Sequence, residues 1–222
     1  MTRRHAAAIA AFSAALTVPQ GVMAHPHVFI DAALSLGYAD GALTEIAVEW
    51  SYDEFYSLLI IEDMGLDPDG DGILTEAETA AIQGFDGDWE EGFDGRLFLR
   101  AGDLPVAMED PRDFTARYED GRLTSRHRRI LRDPVPFAQD LKIQVYDPEY
   151  YVQFTLLDDP RITGATCETR LTPGDPYAAA DAYAAAVAAA LEEDATADAE
   201  VVAVDIGATG ADEMRVTCAA AP

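Results

Sequence analysis

Residues Asp67 to Glu78, DPDGDGILTEAE, have the residue types and the spacing of a calcium-binding EF-hand loop. Carboxylates at alternate positions suit a hard cation that prefers oxygen, and Gly72 stands where such a loop must turn sharply. An acidic surface turn is the alternative interpretation, but it requires neither this glycine nor the closing glutamate. The predicted Ca2+ ligands are Asp67, Asp69, Asp71, the backbone carbonyl of Ile73, Thr75 and Glu78.

Histidines near the start of the chain form the second candidate site. If a signal peptide ends at Ala24, His25 becomes the first residue, and its α-amine and imidazole can chelate a transition metal together. His27 would complete a three-nitrogen set of the kind called a histidine brace, which suits Zn2+, Ni2+, Co2+ or Cu2+. Pro26 has no amide hydrogen, which excludes the square-planar chelate of an unstructured N-terminus. The fold must therefore build the site.

His127 is the third predicted ligand of this transition metal, provided that its strand and the strand after His27 are neighbours. The alternatives are an ordinary strand residue within an arginine cluster for His127, and a frayed polar terminus for His25 and His27.

The first 24 residues have the pattern of a signal peptide. Arg3 and Arg4 precede a short apolar run, Ala6 to Val18, and small residues stand at Val22 to Ala24. The run is too short to be a permanent anchor, and nothing later is long and apolar enough to span a bilayer. We therefore expect a periplasmic protein that is cleaved after Ala24 and has no stable membrane insertion.

The charge of the chain is strongly negative, with 15 basic residues against 41 acidic ones and a net charge of -26. This excess disfavours nucleic acid as a partner. Arginines nevertheless concentrate in one stretch, and we favour their pairing with acidic residues of the same fold or of a protein partner over an anion site. They are Arg112, Arg117, Arg122, Arg126, Arg128, Arg129 and Arg132.

Cys167 and Cys218 are the only two cysteines, and in an oxidising compartment they are predicted to form one disulfide.

The hydrophobic pattern predicts a single α+β domain over residues 25–222, with an EF-hand-like insertion over residues 51–85. Asp40-Gly41 and Asp120-Gly121 are favoured hairpin turn pairs. Helices are predicted at Asp53–Asp63, from Thr75 onwards, and at the alanine-rich Tyr177–Glu193. The predicted strands are two within His27–Trp50, then Arg96–Ala101, Asp113–Tyr118, Arg122–Leu131, Leu141–Tyr146, Tyr150–Leu157, Glu200–Ile206 and Glu213–Cys218.

These segments together resemble the exported bacterial proteins of domain-of-unknown-function family 1007, often described as an uncharacterised ABC-type transport system, periplasmic component. The resemblance rests on three motifs in order: HPHVFID from His25, WSYDEFYS from Trp50 and VYDPEYYVQF from Val145. It implies a periplasmic protein linked to transition-metal transport alongside nickel/cobalt-type permeases.

Three functions are compatible with the sequence. The first is a non-enzymatic metal-binding protein, accessory to metal transport, with Ca2+ in the loop, a transition metal at the histidines and a membrane permease or another periplasmic protein as partner. The second is a calcium-dependent protein-binding module in which Trp50, Tyr52 and the arginines face a partner. The third is a copper oxidase that uses the histidine brace.

Overall fold

The computed structural model of the protein describes residues 25–193 and 202–219, so the predicted signal peptide lies outside the described residues. Two β-sheets and few helices make up the fold, which is compatible with the predicted α+β class. Among the described residues, no helix is long and apolar enough to cross a membrane.

The first sheet is built on the two predicted hairpins. Both residues of the Asp40-Gly41 turn have positive φ, 50° and 79°, which matches the twist of the flanking strands β1 (Val28–Ala39) and β2 (Ala42–Tyr52). The Asp120-Gly121 turn likewise joins two antiparallel strands, β5 (Arg112–Glu119) and β6 (Arg122–Pro136). The strand order of this sheet is β5-β6-β2-β1-β8, where β8 is Val152–Leu156. Both β8 and a further short strand, β9 (Arg161–Thr163), run parallel to β1.

The second sheet consists of β3 (Leu97–Ala101), β4 (Leu104–Pro105), β7 (Leu141–Val145), β10 (Thr166–Thr172) and β11 (Glu213–Ala219), in the order β10-β11-β7-β3-β4. Cys167 and Cys218 are cross-strand partners of β10 and β11, and their sulfurs are bonded, which confirms the predicted disulfide.

The two sheets bury their apolar faces in one common core. Alternation along each strand sends every second side chain inward, and each buried Leu, Ile or Val stabilises the fold by about 1.5–3 kcal/mol. The first sheet contributes residues such as Ile30, Leu34 and Val48, and the second contributes residues such as Leu99 and Ile143.

Within the described parts of the chain, three helices accompany the sheets: α1 (Glu54–Asp63), α2 (Glu76–Ala81) and α3 (Pro176–Glu193). The side chain of Asp53 caps α1 by accepting from the Tyr56 N–H and also accepts from the Phe29 N–H, which joins the helix to β1. Helix α3 packs through a small separate cluster that includes Tyr150, Ala179 and Tyr183.

The segment that carries the acidic loop is attached to the first sheet on both sides. On α1, the fully buried Ser57 hydroxyl accepts from the Leu123 N–H of β6 at 2.8 Å. After α2, the Gln83 amide donates to the Ala116 carbonyl at 2.7 Å and accepts from the Ala116 N–H at 2.9 Å. Gln83 thereby pairs with the outer strand β5 as a neighbouring strand would.

One predicted strand is wrong. The described part of Glu200–Ile206, residues 202–206, is irregular, although the Ile206 N–H donates to the Pro148 carbonyl at 2.7 Å. This contact ties the segment to the turn before β8 rather than to a strand. Strands β4, β9 and β10 were not predicted, because they are short or follow no apolar alternation.

Candidate metal sites

The acidic loop brings three carboxylates together between α1 and α2. Oxygens of Asp67, Asp69 and Asp71 lie within 4.8 Å of one another. Gly72 has a φ of 77°, the left-handed conformation predicted for it. The Asp67 carboxylate accepts from the N–H groups of Asp71 at 3.1 Å and Gly72 at 3.0 Å, so the loop is folded around this side chain.

Glu78 joins the two ends of this loop. Its carboxylate accepts from the Asp67 N–H at 3.1 Å and from the Thr75 N–H at 2.8 Å, and the Thr75 hydroxyl accepts from the Glu78 N–H at 3.3 Å. Thr75 and Glu78 thus form the capping box that begins α2. Within the described structure, Glu78 is not one of the three clustered carboxylates.

Charge repulsion in the loop favours a cation. The neighbouring Asp71 carboxylate is the main cause that raises the pKa of Asp69 above its ordinary value, and Asp67 contributes as well. In contrast, the Thr75 backbone N–H lowers the pKa of Glu78. A divalent cation would relieve the repulsion among the aspartates, and oxygen donors suit Ca2+.

His25 and His27 lie against each other directly before β1. Their ring centroids are 4.4 Å apart, with the planes at 72°. Tyr151 contacts the ring of His27 at 4.9 Å, and Tyr183 of α3 contacts the ring of His25 at 4.7 Å. The His27 N–H donates to the Tyr151 carbonyl at 2.9 Å. The two imidazoles therefore lie against each other and against two tyrosines of the fold.

Asp147 holds the turn that carries Tyr151. Its buried carboxylate accepts from the N–H groups of Tyr151 at 2.9 Å and Val152 at 3.0 Å, and it pairs with Arg96 at 3.1 Å. These contacts occupy the carboxylate, so its role is to position the turn rather than to bind a metal.

The state of the His25 ring fits a nitrogen ligand. Burial is the main cause that lowers the pKa of His25, and the neighbouring His27 lowers it further. The lowered pKa favours the neutral imidazole, which is the form that binds metals. Its Nδ1 is buried and meets no hydrogen-bond partner among the described residues. Nδ1 is the ring nitrogen that can chelate together with the α-amine of a terminal histidine.

His127 does not join this pair. It lies on β6 opposite Val48 of β2, so the condition that its strand neighbours β1 is not met. The ring is 1% exposed and is packed among Trp50, Trp89 and Phe114, with centroids at 5.1, 4.9 and 5.6 Å. The pKa of His127 is lowered to about 3, mainly by burial and further by the positive charges of Arg129 and Arg126. A core position beside positive charge disfavours a metal ligand.

The family model described as "Protein of unknown function (DUF1007)" matches residues 10–218. The chain belongs to this family. No curated protein matches the sequence.

The arginines of this DUF1007 chain pair largely within its own fold, as favoured from the sequence. Arg117 makes a two-pronged pair with Glu49 at 2.8 and 3.0 Å, and Arg128 pairs with Glu45 at 2.6 Å. Arg122 pairs with Asp31 at 2.9 Å. These contacts fasten β5, β6, β2 and β1 together on the outer face of the first sheet.

Trp50 and Tyr52 are not available to a partner, contrary to the second sequence-based hypothesis. Each is only 6% exposed, because each points into the core between the sheets. The Tyr52 hydroxyl donates to the Asp86 carboxylate at 3.2 Å inside the DUF1007 fold.

The sequence did not single out Tyr151, Tyr183 or Asp147 as neighbours of the histidines. Asp147-Pro148 is a turn signal, and it could have indicated that the following tyrosines leave the strand. Nothing in the sequence indicated that α3 packs against His25.

Proposed function

We propose that this DUF1007 protein is an exported, non-enzymatic metal-binding protein accessory to metal transport. In this account Ca2+ binds in the EF-hand-like loop at Asp67–Glu78, and a transition metal binds at His25 and His27. The observation that carries the proposal is the 4.4 Å separation of the two imidazole rings. The position of His25 directly after the predicted cleavage site would add an amine nitrogen.

The two proposed sites differ in chemistry and are therefore expected to select different ions. Carboxylate and carbonyl oxygens suit Ca2+, whereas imidazole and amine nitrogens suit Zn2+, Ni2+, Co2+ or Cu2+. Tyr151 and Tyr183 would fix the orientation of the imidazoles and limit their access to water.

The calcium loop is proposed to stabilise the fold rather than to carry the transition metal. It lies between two attachments to the first sheet, Ser57 with Leu123 and Gln83 with Ala116. Closing the loop around Ca2+ would fix the distance between these attachments. The link to transport rests on the family resemblance, with a membrane permease or another periplasmic protein as the proposed partner.

Competition titration with Zn2+, Ni2+ and Cu2+ tests this function on protein whose N-terminus is verified as His25. We expect His25→Ala and His27→Ala each to weaken transition-metal binding by roughly tenfold or more, because each removes a nitrogen ligand. Calcium affinity should stay the same in both variants. His127→Phe is the matched control and should keep the transition-metal affinity. Unchanged affinity in both N-terminal variants would show that the proposed nitrogen site is wrong.

A further inference from the structure

Helix α1 exposes an apolar face to solvent. Phe55, Leu58 and Leu59 are 69%, 48% and 44% exposed, and their spacing places them on one side of the helix. Phe29 of β1 is 51% exposed and lines the same surface groove as Phe55. We call these four residues the α1 patch.

The orientation of α1 explains why this face is outside. Ser57 and Ile61 point towards the sheet and are fully buried, and Ser57 is fixed by its hydrogen bond with Leu123. The residues on the other side of the helix must then face solvent. Their apolar side chains therefore contribute little to the stability of the core. A contiguous exposed apolar patch of this kind marks an interaction site.

Acidic side chains border the α1 patch. Asp31, Asp53 and Glu54 line the groove beside Phe29 and Phe55, and Arg122 in the same groove is paired with Asp31. Glu62 is exposed one turn beyond Leu58 and Leu59. With a chain charge of -26, such a rim repels a second copy of the chain and an anionic membrane. It complements a basic partner.

We propose that the α1 patch is the docking surface for a basic amphipathic helix of a partner protein. The partner's apolar side would cover Phe55, Leu58 and Leu59, while its lysines and arginines would face the acidic rim. His27 directly precedes β1 and stands two residues before Phe29, and both residues are exposed. A docked partner would therefore lie beside the histidine pair. The surface itself does not depend on a bound metal.

The test measures binding of a fluorescent synthetic helix of about eighteen residues, with leucines on one side and lysines on the other. Fluorescence anisotropy is recorded with the protein processed at His25. The double variant Phe55→Ser, Leu58→Ser should weaken binding by roughly tenfold or more, because it removes the apolar centre of the surface. Tyr177→Ser is the control, since Tyr177 of α3 is 82% exposed and lies outside the α1 patch; its affinity should match the wild type.

Several outcomes separate this docking from other kinds of association. A peptide with glutamates in place of the lysines should not bind, and His25→Ala should bind the lysine peptide like the wild type. Equal binding by the wild type and the double variant would overturn the proposal, since it would reveal charge attraction alone. Patch-dependent binding to phosphatidylcholine–phosphatidylglycerol vesicles without peptide binding, or patch-dependent dimerisation, would also overturn it. Circular dichroism checks the fold, and Phe55→Ser alone serves if the double variant is unfolded.

Discussion

The imidazole rings of His25 and His27 lie 4.4 Å apart, in an edge-to-face arrangement. Both rings lie near the ring of Tyr151, with centroids at 6.0 Å for His25 and 4.9 Å for His27. The turn is fixed by the Asp147 carboxylate, which accepts from the Tyr151 N–H. The His27 N–H donates to the Tyr151 carbonyl, so the buried Asp147 carboxylate helps to position the histidine pair through this turn.

Calcium is expected to raise the melting temperature of the protein through the loop at Asp67–Glu78. A ligand at a hundred times its dissociation constant stabilises the folded state by about 2.7 kcal/mol. Glu78→Gln should remove most of this gain, because Glu78 is the predicted bidentate ligand that would close around the ion, and glutamine lacks its charge. Differential scanning calorimetry with Ca2+ and with chelator measures the effect.

Glu76→Gln is the matched control for this prediction, since Glu76 is an exposed acidic residue of the same loop that is not a predicted ligand. Its response to calcium should match the wild type. If calcium does not change the melting temperature of the wild type, the loop is an acidic surface turn.

Acid should destabilise the protein through His127. Its pKa is lowered to about 3, so the unfolded chain, with an ordinary pKa of about 6.5, takes up a proton at higher pH than the folded chain. The contribution to stability is complete above pH 6.5 and is lost as the pH falls towards 3. Between pH 7.5 and 4.5 the loss is about 2–3 kcal/mol.

Urea unfolding of the wild type and His127→Phe at both pH values measures this loss. The variant should lose about 2–3 kcal/mol less than the wild type on acidification, because phenylalanine fits among aromatic rings and does not titrate. Burial raises the pKa of the nearby Asp86, which opposes the loss, and comparing the two proteins at the same pH cancels its effect. Equal losses in both proteins would contradict the assignment of a buried neutral His127.

Removing the disulfide should lower the free energy of unfolding by about 2–4 kcal/mol, since it closes a long loop in the unfolded chain. Cys167 and Cys218 are 51 residues apart in sequence. Guanidinium unfolding of the double variant Cys167→Ala, Cys218→Ala measures the change. A reductant should shift the wild type in the same direction and leave the double variant unaffected; a wild type that does not respond to reductant would refute this contribution.

The features that local chemistry determines could be predicted from the sequence. Asp40-Gly41 and Asp120-Gly121 form hairpins because these residue pairs tolerate positive φ. Gly72 has the predicted left-handed backbone for the same reason. Cys167 and Cys218 pair because they are the only two cysteines.

The features that depend on strand order could not be predicted. Alternation along β6 predicts that His127 lies on the same side as Leu123. It does not predict that β2 lies between β6 and β1. Similarly, the spacing of Phe55, Leu58 and Leu59 indicates a helix, but it does not show which side of the helix packs against the sheet. The buried side of the helix carries Ser57, whose hydrogen-bond partner Leu123 is 66 residues away in sequence.

The most direct test of the central claim compares Cu2+ and Zn2+ affinity of two forms of the protein, one beginning at His25 and one with a single glycine before it. The account predicts that the form beginning at His25 binds at least one of these ions roughly tenfold or more tightly, because only its terminal amine and imidazole form a chelate. Equal affinities for both ions would contradict the participation of the terminal amine. Absence of binding by both forms would contradict the nitrogen site itself.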